Sequence, residues 1–117
     1  MRLTLADSNQ VLIENLEVAR TLWPRTKGLL GRSNLAPNEA LWIWRCNTIH
    51  TFFMKFAIDL VFVNKKMVVM KVMKGVQPGR MTFPVLSASS VIELSEGFLD
   101  KHPLKAGDKL NVDPALS

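Results

Sequence analysis

Hydrophobic positions along this chain fall in short runs separated by turn chemistry, the signature of strands rather than of long amphipathic helices. Arg2 to Ala6 reads as a first short strand, followed by a turn at Asp7-Ser8-Asn9. Val11 to Val18 carries apolar residues at 11, 12, 13, 16 and 18 and reads as a second strand. Ala40-Leu41-Trp42-Ile43-Trp44 is apolar at both parities, as expected of a central strand covered on both faces. Ile58 to Val63 and Met67 to Met73 flank Asn64-Lys65-Lys66, a hairpin with a short polar turn. Gln77 to Arg80 reads as a loop and Ser89 to Leu94 as a strand closed by Glu96-Gly97. Lys109 to Val112 supplies a last short strand.

One helix is expected. Thr21 can cap it, and Pro24 is tolerated in a first turn, where its missing N–H has no intrahelical partner to lose. Leu22, Leu29 and Leu30 face inward, and Gly31 suits a left-handed terminator. The fold class is therefore mainly β: a β-sandwich or partly open barrel with one short α-helix, in a single domain spanning 1–117.

Composition narrows the function classes. The chain is 48% hydrophobic and 21% charged, which excludes a disordered tail. A lone Cys excludes an internal disulfide framework and makes a reducing compartment the default. Asp7 arrives too early for the apolar run of a signal peptide, and no run approaches the roughly 20 apolar residues of a spanning helix. A soluble, cytoplasmic protein without a membrane partner is expected. A net charge of +5 suits an acidic partner. The basic residues form no dense run and have no interleaved aromatics, and no phosphate-binding glycine loop is present, so nucleic acid is not expected.

Chemistry concentrates between Trp42 and Asp59. In an extended chain Cys46, Thr48, His50 and Met54 share one side. A thiol, an imidazole and a thioether on one surface suit a soft metal, but even positions of one strand sit about 7 Å apart, too far for one ion to bridge without a bend. A Cys46–His50 nucleophilic pair needs about 3–4 Å between sulfur and ring nitrogen, and no carboxylate nearer than Asp59 is available to orient it. The third reading is a ligand groove in which Thr48, His50 and Thr51 hydrogen-bond and Trp42 or Trp44 forms an apolar wall. Against all three stands plain core packing, the usual fate of Cys and Met. Upstream, Arg25 and Arg32 lie two helical turns apart with Gly28 between them. Guanidinium groups so placed can clamp an anion, or pair with internal carboxylates such as Asp59 or Glu93.

These segments together carry a family pattern. Arg25-x-x-Gly28-Leu29-Leu30-Gly31-Arg32, Cys46 to Met54 and Ile58 to Val63 recur in order. Pro78-Gly79-Arg80, Val91-Ile92-Glu93-Leu94, Gly97 and Gly107-Asp108 follow. Over roughly residues 17 to 112 the chain resembles the prokaryotic domain of unknown function 192. The resemblance implies a compact β-rich domain with a short helix and names no general activity. It makes the positions of Arg25, Arg32, His50, Thr51, Met54 and Asp59 candidates for a shared site or for a structural signature.

A small non-catalytic binding or accessory domain is thus expected. Its candidate ligand-binding residues are Arg25, Arg32, Trp44, Thr48, His50, Thr51 and Asp59, and its ligand is small or anionic. No cofactor is expected. The alternative is a metal-handling protein or Cys–His enzyme using Cys46, His50 and Met54.

Overall fold

The computed structural model describes residues 1–19, 34–44, 47–49, 51 and 55–113. Eight strands build two sheets among these residues: β1 (Arg2–Leu5), β2 (Val11–Ile13), β3 (Asn15–Ala19), β4 (Glu39–Trp44), β5 (Ile58–Val63), β6 (Val69–Val76), β7 (Ser90–Ser95) and β8 (Leu110–Asp113). The smaller sheet has the order β2-β1-β8 and the larger β3-β4-β7-β5-β6. All pairings are antiparallel except β3 with β4. The sheets are not closed into a barrel, so the mainly β, sandwich-like class expected from the sequence holds.

The stretch read as one strand from Val11 to Val18 is two. Glu14 is a bend between β2, which pairs with β1, and β3, which pairs with β4 in the other sheet. A mixed hydrophobic parity is what such a sheet switch leaves in a sequence, because the inward face changes partway along. The helix expected from Thr21 to Gly31 lies outside the described residues. The described helix, α1 (Phe98–Lys101), is a single turn with Gly97 as its N-cap.

Both faces of the large sheet are buried, each in its own core. On the inner face, Leu16, Ala40, Trp42, Val61, Val63, Ile92 and Leu94 pack with Leu3, Leu12, Ile13 and Leu110 of the small sheet. Leu41, Ile43, Ile58, Leu60, Phe62 and Val91 form the outer face. Leu35, Ile49 and Ala88 are buried with them, and Phe56, Met73 and Val85 pack at the margin. This double burial is why β4, β5 and β7 read as unbroken apolar runs rather than as alternating ones.

The cover over the outer face is made by two crossovers lying side by side. The Thr82 amide donates to the Ile49 carbonyl (2.8 Å), the Thr51 amide to the Arg80 carbonyl (2.8 Å), and the Val85 amide to the Asn47 carbonyl (2.8 Å). Residues 47–49 and 51 therefore run antiparallel to 79–85 across the sheet, joined by backbone bonds and lying outside both sheets.

Candidate functional site

Among the described residues of the sequence-derived cluster, Thr48, Ile49 and Thr51 follow an extended alternation. Thr48 is exposed, while Ile49 and Thr51 are buried. The Thr51 hydroxyl donates to the Gln77 carbonyl at 2.7 Å and accepts from the Arg80 amide at 2.9 Å. Its own carbonyl accepts from the Gly79 amide at 2.9 Å. With 0% of its surface exposed, Thr51 is a clasp that fixes the turn at Pro78-Gly79. One residue pair outward, the Thr48 hydroxyl donates to the Thr82 carbonyl at 2.7 Å, and the Thr82 hydroxyl accepts from the Ile49 amide at 2.9 Å. These threonines bind the two crossovers to each other.

Asp59 has a comparable place. It is 1% exposed, and its carboxylate accepts from the Gly75 amide (2.8 Å) and the Leu99 amide (2.9 Å). The first bond follows from the pairing of β5 with β6. Ile58 opposes Val76 while Leu60 opposes Met73, so β6 carries an extra residue there, and Gly75 takes a left-handed φ of 58°. Such a bulge turns an amide out of the ladder, and a glycine accommodates it without Cβ strain. The second bond satisfies one of the helix-start amides of α1, which receives no side-chain bond from its own cap, Gly97. One carboxylate thus joins a strand bulge to a helix start.

Trp42 and Trp44 lie elsewhere. Their rings pack with centroids 4.7 Å apart, Trp42 within the inner core and Trp44 against it. The Trp42 indole N–H donates to the Ser90 hydroxyl at 2.9 Å. Thr48 and Thr51 belong to the cover on the opposite face of the same sheet. The tryptophan wall and the threonine hydroxyls therefore do not line one groove. The apolar run of β4 could not have revealed this, since it shows no parity. Arg25, Arg32, Cys46, His50 and Met54 lie outside the described residues. Among the described residues, no three of His, Cys, Asp and Glu are grouped as a metal site.

Two features stand out that the sequence showed only in part. Glu93, mid-way along β7, pairs with Leu41 on one side and Leu60 on the other and is 5% exposed on the outer face. Burial among these aliphatic neighbours pushes its carboxyl up to about 8. The second is an exposed apolar group in the outer crossover. Met81 is 67% exposed, and Phe83 and Leu86 are each 89% exposed. In the sequence, the signal was present as Met81-Thr82-Phe83-Pro84-Val85-Leu86, an apolar loop with no strand period.

No described helix is long and apolar enough to cross a membrane. Solved structures share the fold. A protein of unknown function from Novosphingobium aromaticivorans superposes with a TM-score of 0.83 at 22% identity, covering 96% of this chain and 84% of that one. A "putative transcription regulator" from Sinorhizobium meliloti gives a TM-score of 0.78 at 19% identity, covering 94% and 89%. Identities this low establish the architecture alone. No protein of curated function matches the chain. The family model DUF192, described as Uncharacterized ACR, matches residues 3–112, and the chain belongs to that family.

Proposed function

We propose that this protein is a non-catalytic binding or accessory domain that recognises an anionic ligand or surface on the cover side of its large sheet. The observation that carries this reading is a charge asymmetry. Residues 39–95, from the start of β4 to the end of β7, contain seven basic residues and three acids, of which Asp59 and Glu93 are buried and Asp59 has its carboxylate tied to backbone amides. The rest of the chain has eight basic residues and seven acids. Most of the net positive charge therefore belongs to the half that builds β4 to β7 and the cover, a distribution that attracts anions. Thr48 is the described candidate residue with its side chain at the surface of that cover. Arg25, Arg32 and His50 are the proposed further contacts, with Thr51 and Asp59 holding the frame. A cytoplasmic setting, supported by the lone cysteine, completes the reading.

The metal-handling or Cys–His alternative rests on Cys46, His50 and Met54 alone, and no described residue adds to it. Thermal unfolding against a panel of carboxylates, phosphates and polyanions tests the proposal. An anion present at 100 times its dissociation constant stabilises the fold by about 2.7 kcal/mol. His50→Ala or Arg32→Ala should abolish that shift. A panel without any shift refutes anion recognition.

A further inference from the structure

The loop at 81–86 is apolar, exposed and firmly held. Scattered exposed hydrophobics are ordinary, but here three large ones, with Pro84 among them, stand within six residues. The loop is not a loose excursion. Thr82 is bonded through its amide and hydroxyl to Ile49, the Val85 amide to the Asn47 carbonyl, and the Ala88 amide to the Val85 carbonyl (2.9 Å). The fold therefore maintains Phe83 and Leu86 in water by a framework of hydrogen bonds.

Basic residues stand next to this loop in the sequence and on the strand and turn at the end of the sheet where it returns to β7. Arg80 immediately precedes Met81. Lys71 pairs with Phe62 and so shares the cover face. Lys65 and Lys66 occupy the turn after Val63, whose carbonyl accepts from the Ser89 amide at 2.8 Å, just past Leu86. Among the described residues none of these four side chains is in an ion pair.

We propose that the 81–86 loop docks this domain onto an anionic lipid surface. Phe83 and Leu86 enter the boundary between headgroups and acyl chains, while Lys65, Lys66, Lys71 and Arg80 meet the phosphates. This deepens the anion-recognition reading and rests on it for the electrostatic half; the apolar half is an independent observation. A bilayer interface offers an apolar layer under a negative one, matching an apolar tip backed by cations. A second copy of the chain brings the same positive charge to the same place and is repelled. Single-stranded nucleic acid needs stacking platforms, and this tip has one aromatic ring among aliphatic side chains. Lying on a membrane is distinct from spanning one, so the absence of a spanning helix among the described residues does not bear on it.

The test is co-sedimentation of the full chain with vesicles of phosphatidylcholine alone and of phosphatidylcholine with phosphatidylglycerol. Binding is expected to the second kind and to weaken with salt. Phe83→Ser with Leu86→Ser should lower partitioning at least about tenfold while leaving the melting temperature unchanged. Lys65→Gln and Lys66→Gln should each lower it about fivefold. Glycerol phosphate and a short oligonucleotide form the control arms. If vesicles fail to bind while glycerol phosphate does, the lipid inference is overturned and anion recognition stands. Failure of every anion overturns both. Vesicle binding indifferent to Phe83→Ser/Leu86→Ser removes the loop from the interface. Oligonucleotide binding that depends on this loop, without vesicle binding, replaces lipid by nucleic acid.

Discussion

Asp59 and the 81–86 loop invert the usual distribution of side chains. A carboxylate that by type belongs at the surface is 1% exposed, and a phenylalanine and a leucine that by type belong inside are 89% exposed. The structure explains the first completely, since each Asp59 oxygen takes a backbone amide that neither strand ladder nor helix satisfies. It explains the second only in part, because hydrogen bonds hold the loop in shape but give no reason for its apolar tip. A buried polar group whose partners are all backbone is a brace. An exposed apolar group on a rigid support has its reason outside the molecule.

The brace should give the largest effects. Asp59→Ala takes the partner from the buried Leu99 amide, at about 1–3 kcal/mol, and from the half-buried Gly75 amide, at somewhat less, and should lower the unfolding free energy by about 2–4 kcal/mol in urea titrations. Backbone hydrogen exchange should rise first at Gly75 and Leu99. If exchange there stays slow, other partners hold those amides and the comparison fails.

Glu93 sharpens the contrast, as a buried carboxyl that takes no backbone amide among the described residues, where Asp59 takes two. Its folded value of about 8 stands above the ordinary 4.5, so the native state keeps the proton longer than the unfolded chain. Stability is therefore greatest below the unfolded value and falls as pH rises through the window between the two, levelling off above about 8. The slope has a ceiling of about 1.4 kcal/mol per pH unit, and Glu93→Gln should flatten it. Urea unfolding from pH 5 to pH 9 reads both; a wild-type profile that rises with pH contradicts the assignment.

Thr51→Val comes next. It removes the hydroxyl between the Gln77 carbonyl and the Arg80 amide and should cost about 1–3 kcal/mol, measurable in the same titration. Phe83→Ser with Leu86→Ser comes last, with a change in stability within about 0.5 kcal/mol. A loss comparable to that of Thr51→Val would mean the loop is packed rather than displayed.

These contrasts also show what was legible in the sequence. Strands β4, β5 and β7 were visible because double burial writes continuous apolar runs. Their parity was invisible for the same reason, so Trp42 and Trp44 could not be separated from the Thr48–Thr51 cover. The β2–β3 switch at Glu14 was hidden because two short strands facing different ways average to one ambiguous pattern. Helix α1 is a single turn, too short to show a period. Asp59 and Thr51 were found as special residues, since both stand out by type. Their partners were not, because Gly75, Leu99, Gln77 and Arg80 lie 16 to 40 positions away and are met through the backbone, which carries no residue-type signal. Glu93 was named as a pairing option for arginines and as part of the family motif, and its place between Leu41 and Leu60 depends on a register that sequence does not contain.

The central claim is a division of labour: the buried polar residues of the family motif hold the fold, and the exposed apolar loop does not. Urea unfolding of Asp59→Ala beside Phe83→Ser/Leu86→Ser tests it most directly. The expected result is a loss of about 2–4 kcal/mol in the first variant and a wild-type curve in the second. A stable Asp59→Ala protein would show that its carboxylate is there for a ligand rather than for Gly75 and Leu99, and would contradict the account.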